Sequence, residues 1–261
     1  MRLIADTHVH IYPCYNIKWA LATLRTNLSQ LDGQAVCIAF LAERSDCHFF
    51  AEFKENTAGL LSSELEIRYL DNALHFRETG HPDLYIFPGR QIITREKIEI
   101  LSLTVDLKIE DGLAAQEVID TIRQNNGLPV ISWAPGKWFF KRRKVVENLL
   151  ASNKPGSLLL GDTTLRPTCW RQPLLMKKAA RQGFTVISGS DPLPFAGEEK
   201  VIGRYGISID SDFDVHDPAG SIRTLLLQPG LKPSLVGRRG DLFSTLHRLF
   251  KNARSKTKDG A

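Results

Sequence analysis

Short apolar runs alternate with helix-like patterns along most of this chain, and this alternation restricts its fold more than any other feature. The runs "AVCIAFL" from Ala35 and "LPVISWA" from Leu128 are continuously apolar, which is typical of strands buried on both faces of a parallel sheet. Residues 17–31, 140–152 and 173–182 instead carry the spacing of helices. Repeated strand–helix units predict an α/β protein with a mostly parallel sheet.

The middle of the chain departs from this rhythm. "LEIRYLDNALHFRE", from Leu65, alternates by twos around Asp71 and Asn72, which predicts a β-hairpin. "LYIFPGRQIITREKIEILSLTV", from Leu84, contains a second strand pair. We therefore expect an antiparallel β excursion beside the parallel core.

Charge is unevenly distributed over the 261 residues, whose formal net charge is +5. From residue 229 onward, eight Lys or Arg face only Asp241 and Asp259, so that segment carries +6 and the first 228 residues carry −1. We expect a core domain over residues 1–228 and a basic C-terminal helix and tail over 229–261. Because the core is not basic, we expect no specific nucleic-acid partner.

The cysteines and the hydropathy pattern bear on the compartment. No two cysteines form a CxxC pair, so neither a zinc ribbon nor a disulfide framework is indicated. The N-terminal segment turns polar after four residues, unlike a secretory signal, and no apolar run approaches the roughly 20 residues that cross a bilayer. A cytoplasmic protein is expected.

The segment "IADTHVH", residues 4–10, follows the first apolar residues and holds two histidines two positions apart. In a strand, residues two apart point to the same side, so His8 and His10 can face one point, and Asp6 shares their parity. Neutral imidazoles are common ligands of Zn, Mn or Fe. The spacing predicts the start of a metal site; the alternative is two histidines that only cap a strand.

A late segment, "GSDPLPFAGEEKVIGRYG" from Gly189, completes a resemblance. With the early HxH, it resembles the PHP (polymerase and histidinol phosphatase) family of metal-dependent hydrolases, and more distantly the TatD-like nucleases and amidohydrolases. The resemblance implies a TIM-like distorted (β/α)7 barrel and a metal-dependent hydrolase, with Asp191 as the third ligand after His8 and His10. Residues 184–206 are also similar to an uncharacterised group of PHP-like bacterial proteins with a G-[ST]-D-P-L-P-F motif.

Three positions depart from the PHP pattern. Gln91 stands where the family has a glutamate, Trp133 where it has a histidine, and Leu193 where a histidine follows the late aspartate. The family binds up to three metals, so this chain is expected to hold one or two ions of Mn, Zn or Fe. The departures also support a rival hypothesis, a PHP-like pseudoenzyme that serves as a binding or scaffolding module.

Several side chains are candidates to complete the site. Glu43 and His48 follow the second strand and are either further ligands or parts of a solvated loop. Asp162 ends the "SLLLGD" strand and is either a ligand or a helix N-cap. Together with Asp191, it is a candidate general base for the attacking water.

Substrate contacts are predicted from neighbouring loops. Lys137 and Arg166 follow strand ends and are candidates to bind a phosphoester or another anionic small molecule, and Trp133 is a candidate to stack on it. The basic run Lys141–Lys144 is expected to be a helix surface. The C-terminal helix is amphipathic; docking on the core is the default expectation, and contact with a membrane surface or a protein partner is the alternative.

Overall fold

The computed structural model describes residues 1–55 and 65–258, and within them twelve β-strands form two mixed sheets. The strands are β1 (Arg2–Val9), β2 (Val36–Leu41), β3 (Leu65–Leu70), β4 (Ala73–Glu78), β5 (Leu84–Phe87), β6 (Gly89–Ile93), β7 (Glu99–Leu103), β8 (Leu128–Ser132), β9 (Leu159–Thr163), β10 (Val186–Gly189), β11 (Tyr205–Asp210) and β12 (Ser234–Gly237). The larger sheet has the order β12-β11-β1-β2-β5-β4-β3, and the smaller has the order β10-β9-β8-β7-β6.

Seven α-helices are described along the same part of the chain. They are α1 (Ile17–Leu31), α2 (Phe49–Glu55), α3 (Ala115–Gln124), α4 (Lys141–Ser152), α5 (Leu174–Arg181), α6 (Pro218–Leu226) and α7 (Leu242–Lys258), and a 3-10 turn covers Glu198–Val201. None of the described helices is long and apolar enough to cross a membrane.

The two sheets face each other across a shared apolar core. Ile38 and Phe87 of the larger sheet lie in one buried cluster with Leu101, Val130 and Ile187 of the smaller. Helices α1 and α2 cover the outer face of the larger sheet, and α3, α4 and α5 cover the outer face of the smaller. Central strands such as β2 and β8 are therefore buried on both faces, which explains their continuous apolar runs.

The predicted TIM-like barrel is wrong, because the described strands do not close into one ladder. Consecutive strands β5 and β6 belong to different sheets, and Pro88 between them has no N–H to donate. An isolated bridge between Glu43 and Arg90 spans the sheets there. Three antiparallel pairs, β1 with β11, β6 with β7 and β7 with β8, further replace the uniform parallel order of a barrel.

The local elements agree better with the sequence than the global closure does. The hairpin predicted around Asp71 and Asn72 is formed by β3 and β4, with Asn72 at a φ of 57° in the turn. Helix α1 has the predicted bounds. In contrast, β12 pairs with β11 and so carries the larger sheet across the predicted boundary after residue 228. The division into a core and a basic segment stays a prediction, and residues 259–261 of the expected tail lie outside the described residues.

Candidate metal centre

Strand β1 runs further than its apolar residues indicate and carries the two histidines to the edge of the core. Its pairing with β2 shifts by one residue between Asp6 and Val9, which marks a β-bulge. Asp6 does not point to the histidines. Its carboxylate accepts hydrogen bonds from the backbone N–H groups of His8 (3.2 Å), Ser190 (2.8 Å) and Gly203 (2.8 Å). Asp6 thus joins the end of β1 to the segment after β10.

His8, His10 and Asp191 converge, and all three are buried. The Nε2 atoms of the two histidines lie 3.0 Å apart. Asp191 Oδ1 lies 3.7 Å from His8 Nε2 and 3.6 Å from His10 Nε2. Two imidazole nitrogens and a carboxylate oxygen are a donor set that Zn, Mn and Fe accept. The group can bind one metal ion.

Asp191 is held in an unfavourable backbone conformation. Its φ is 48°, in the left-handed region that side chains other than glycine rarely adopt. Its N–H donates to His8 O at 2.9 Å, which fixes the turn directly against β1. At Gly189 a Cβ would collide with the backbone of His8, so only glycine permits this close approach. Such strain persists where the surrounding structure enforces it, as at functional sites.

Protonation in this group suits a metal ligand set. Burial lowers the pKa of His8, so its ring is neutral at pH 7 with a lone pair available. Burial by itself raises the pKa of Asp191, but the hydrogen bond from His10 and the charge of Arg248 favour the carboxylate and lower that pKa. Asp191 is therefore an anion.

Further side chains orient the histidine rings. Ser132 Oγ lies 3.5 Å from His8 Nδ1, and Gln91 Oε1 lies 3.3 Å from His8 Nε2. The ring of Tyr12 stacks on His10 at 5.2 Å between centroids. Gln91, which replaces the expected glutamate, thus still lies at the site, where its amide oxygen is a weaker ligand than a carboxylate.

The C-terminal helix contributes a buried arginine to the site. Arg248 on α7 donates through Nε to both carboxylate oxygens of Glu198 (3.1 and 2.9 Å), through Nη1 to Thr164 Oγ1 (2.8 Å) and through Nη2 to Asp191 O (3.2 Å). Thr164 in turn donates a short hydrogen bond to Ser190 O. Helix α7 is therefore docked on the core, which was the default expectation. Arg248 stabilises the turn that carries Asp191.

A cavity of about 890 Å³ lies over the ligand group. His10 and Asp191 form part of its lining, with Gln91, Glu99 and Lys137. Its size is within the range of ligand sites in proteins. Lys137, which the sequence predicts to bind an anion, therefore lies in the cavity wall. Its Nζ pairs with Glu99 Oε1 at 3.0 Å.

Asp162 and Arg166 are brought together with each other and not with the histidines. Arg166 donates from Nε to Asp162 Oδ1 (2.8 Å) and from Nη2 to Oδ2 (2.5 Å), and Tyr205 donates to the same Oδ2 at 3.0 Å. Both residues are buried. Because each already neutralises the other, the predicted roles in metal and phosphate binding are not supported by this geometry.

Glu43, His48 and Trp133 also lie outside the ligand group. Glu43 Oε1 accepts from Phe50 N at 3.0 Å, and His48 Nδ1 lies 3.2 Å from Arg90 Nη2. The Trp133 side chain is 1% exposed and packs in the core, edge-on to Trp170. Each of the first two thus makes a local contact through one polar atom, and Trp133 is packed in the core outside the cavity lining.

Glu43 has a testable consequence for stability. Burial raises its pKa from 4.5 to about 7, so the folded protein favours the protonated form and the free energy of unfolding falls as pH rises from about 4.5 to 7. Glu43→Gln keeps an oxygen acceptor without the charge. We expect it to stabilise the protein by about 1–3 kcal/mol at pH 8 and to have little effect at pH 4.5. Urea unfolding at both pH values measures this, with exposed Glu52→Gln as the control; equal effects at both pH values would refute it.

Sequence reasoning missed Arg248, Glu198, Ser132 and Glu99. Arg248 lies in an amphipathic, basic segment, and nothing in its spacing distinguishes it from exposed neighbours such as Lys251. Ser132 and Glu99 lie at the ends of strands that meet as Glu99 pairs with Ser132, a register that only the folded sheet reveals.

No family model and no curated protein matches the chain. Several solved structures resemble it, and three of them align at 12% identity. PsfC from Pseudomonas syringae PB-5123 aligns with a TM-score of 0.56 over 98% of both chains. The chain shares its fold with these structures. The lesion-specific endonuclease PfuEndoQ from Pyrococcus furiosus aligns with a TM-score of 0.50, over 89% of this chain and 58% of that one.

The third structure is an endonuclease Q complex with a 27-mer duplex substrate carrying an abasic lesion at the active site. It aligns with a TM-score of 0.52 over 87% of this chain and 56% of that one, so the chain spans little more than half of either endonuclease. The prediction of no specific nucleic-acid partner is contradicted by this likeness, because a protein of the same fold binds a duplex substrate with an abasic lesion. The net charge of the core was too coarse a criterion.

Proposed function

We propose that the protein is a PHP-like, divalent-metal-dependent hydrolase that cleaves phosphodiester bonds in nucleic acid. The observation that carries the proposal is the convergence of His8, His10 and Asp191 beneath the cavity. Two structures of the same fold are those of endonucleases, which supports this substrate class. A divalent ion, when bound, would polarise a phosphoryl oxygen and lower the pKa of a water.

The chain's own residues have separate tasks in this proposal. His8 and His10 offer Nε2 atoms, while Ser132 contacts the other ring nitrogen of His8 and Tyr12 stacks on His10. Orientation of this kind sustains ligand basicity. Asp191 stays ionised and offers Oδ1.

The cavity wall supplies charge beside the ligand group. Lys137 is a cation that can contact a non-bridging phosphate oxygen when it exchanges its contact with Glu99. The freed Glu99 carboxylate then can accept a proton from the attacking water.

The test is hydrolysis by the full chain with Mn²⁺, Zn²⁺ or Fe²⁺ supplied separately. Fluorescent single-stranded and duplex oligonucleotides, and bis(p-nitrophenyl) phosphate, are the substrates. We expect metal-dependent cleavage that EDTA abolishes and that Glu99→Gln reduces about 100-fold or more, the usual contribution of a general base. Protein that binds a stoichiometric metal and cleaves none of these substrates would remove the hydrolase proposal.

One observation favours a second candidate, a metal-binding module without hydrolytic activity. Gln91 Oε1 lies 3.3 Å from His8 Nε2, where the PHP resemblance implies a carboxylate, and Leu193 is packed with Leu165 and Phe195. A site with fewer anionic ligands holds fewer ions. Gln91→Glu separates the two candidates, because gain of a second bound ion together with activity would identify the natural protein as the inactive module.

A further inference from the structure

Three exposed or partly exposed aromatic side chains lie in the two loops that supply Lys137 and Leu165 to the cavity lining, and they have no role in the proposed chemistry. We call Phe139, Phe140 and Trp170 the aromatic ridge. Phe139 and Trp170 lie 6.0 Å apart between ring centroids, and Trp170 rests edge-on against buried Trp133 at 5.6 Å. Phe140 is 92% exposed. Exposed aromatics that gather in one place usually mark a binding surface.

The ridge is connected to the metal centre by one short loop. Ala134, Pro135 and Lys137, from this loop after β8, line the cavity. Trp138 is buried and donates from Nε1 to Ser132 O at 3.0 Å, and Ser132 also contacts His8. The two phenylalanines follow directly. A ligand that extends from the cavity along this loop past Lys137 would reach Phe139, two residues further on.

The backbone conformation of Phe140 is energetically unfavourable. Its φ is 52° and its ψ is −125° at the N-cap of α4, and no side chain caps the helix there. A bulky residue rarely adopts positive φ. An exposed phenylalanine in such a position contributes nothing to the core, so a ligand contact accounts for it better than stability does.

Unpaired positive charge surrounds the ridge. Residues 133–146 contain five Lys or Arg and no Asp or Glu. Among the described residues, neither Lys141, Arg142 and Lys144 of α4 nor Arg171, next to Trp170, forms an ion pair. These cations complement a polyanion whose planar groups can cover the aromatic rings.

We propose that the aromatic ridge and its cations bind unpaired nucleotides of a nucleic-acid strand that leads into the cavity. Base stacking on aromatic rings and contact between cations and phosphates are how proteins hold single strands without reading sequence. A lipid surface also suits aromatic and basic side chains, but the continuity of the ridge with a cavity over the metal ligands favours a strand. The inference rests on the proposed function for its substrate class.

The test measures binding of the full chain to a fluorescent oligothymidine of 20 nucleotides by fluorescence anisotropy. EDTA is present so that no metal-dependent cleavage occurs. We expect Phe140→Ala and Trp170→Ala each to weaken binding by about 5- to 100-fold, the range that stacking of one base supplies. Phe243→Ala, which removes an exposed aromatic from α7, is the matched control and should leave the affinity unchanged. Lys141→Gln, Arg142→Gln and Lys144→Gln combined should reduce the slope of log affinity against log salt by about 2.

The outcomes separate this inference from the proposed function. If the protein hydrolyses oligonucleotides and Phe140→Ala and Trp170→Ala bind them with unchanged affinity, the proposed role of the aromatic ridge is overturned and the hydrolase proposal stands. Binding that depends on the ridge without hydrolysis would sustain the ridge and count against the hydrolase. Wild-type protein that does not bind the oligonucleotide but sediments with anionic phosphatidylserine vesicles, in a manner dependent on Phe140, would overturn the inference in favour of a membrane surface.

Discussion

Replacing His10 with alanine is expected to weaken binding of Mn²⁺ or Zn²⁺ by more than about 100-fold. The loss of an outer contact alone costs a metal site about 10- to 100-fold in affinity, and His10 offers a nitrogen 3.6 Å from Asp191 Oδ1 within the ligand group itself. Two remaining donors cannot hold an ion tightly. Isothermal titration calorimetry of the metal-free protein measures the change.

The control for this prediction is His216→Ala, which removes an exposed histidine outside the ligand group. It should bind metal as the natural protein does. Because His10 stacks on Tyr12 and its loss leaves a small cavity, folding of both variants is checked by circular dichroism. We expect both spectra to match that of the natural protein. Undiminished affinity in folded His10→Ala would show that the ion binds elsewhere.

Replacing Arg248 with methionine is expected to lower both stability and metal affinity. The change leaves the Glu198 carboxylate buried without its cation, and breaking a buried pair from one side costs about 3–5 kcal/mol. It also removes the donors to Asp191 O and Thr164 Oγ1. The turn that carries Asp191 then loses its support, and we expect metal affinity to fall by about 10-fold or more.

The double variant Glu198→Gln with Arg248→Met distinguishes support of the ligand from general stability. Glutamine removes the unpaired charge and still offers an oxygen to Leu193 N. Stability should therefore recover in large part, as followed by urea unfolding, whereas metal affinity should stay low. Recovery of both quantities together would mean that Arg248 acts only through stability.

The local elements could be predicted because their signals are short in range. The apolar spacing of residues 17–31 and the Asp71-Asn72 turn depend on neighbours a few positions away. Barrel closure depends on pairings between distant strands, and Pro88 together with the antiparallel pairing of β6 and β7 separates the sheets. Similarity of motifs to a barrel family could not reveal where the ladder is interrupted.

The candidate site divides in the same way. The HxH spacing and the late aspartate predicted a group that the fold brings together, since both follow strands that end at the same edge. Asp162 has the same strand-end position but is paired with Arg166 four residues on. Whether a carboxylate faces a cavity or a cation depends on side-chain contacts that strand position alone does not determine. Arg248 reaches the site from a helix more than fifty residues beyond Asp191.

The most direct measurement is anomalous diffraction from crystals of the full chain soaked in Mn²⁺. An ion coordinated by the two early imidazoles and the late carboxylate predicts one strong anomalous peak bounded by His8 Nε2, His10 Nε2 and Asp191 Oδ1. Crystals that show no peak between these atoms at saturating Mn²⁺, while the three side chains remain ordered and close together, would contradict the metal centre.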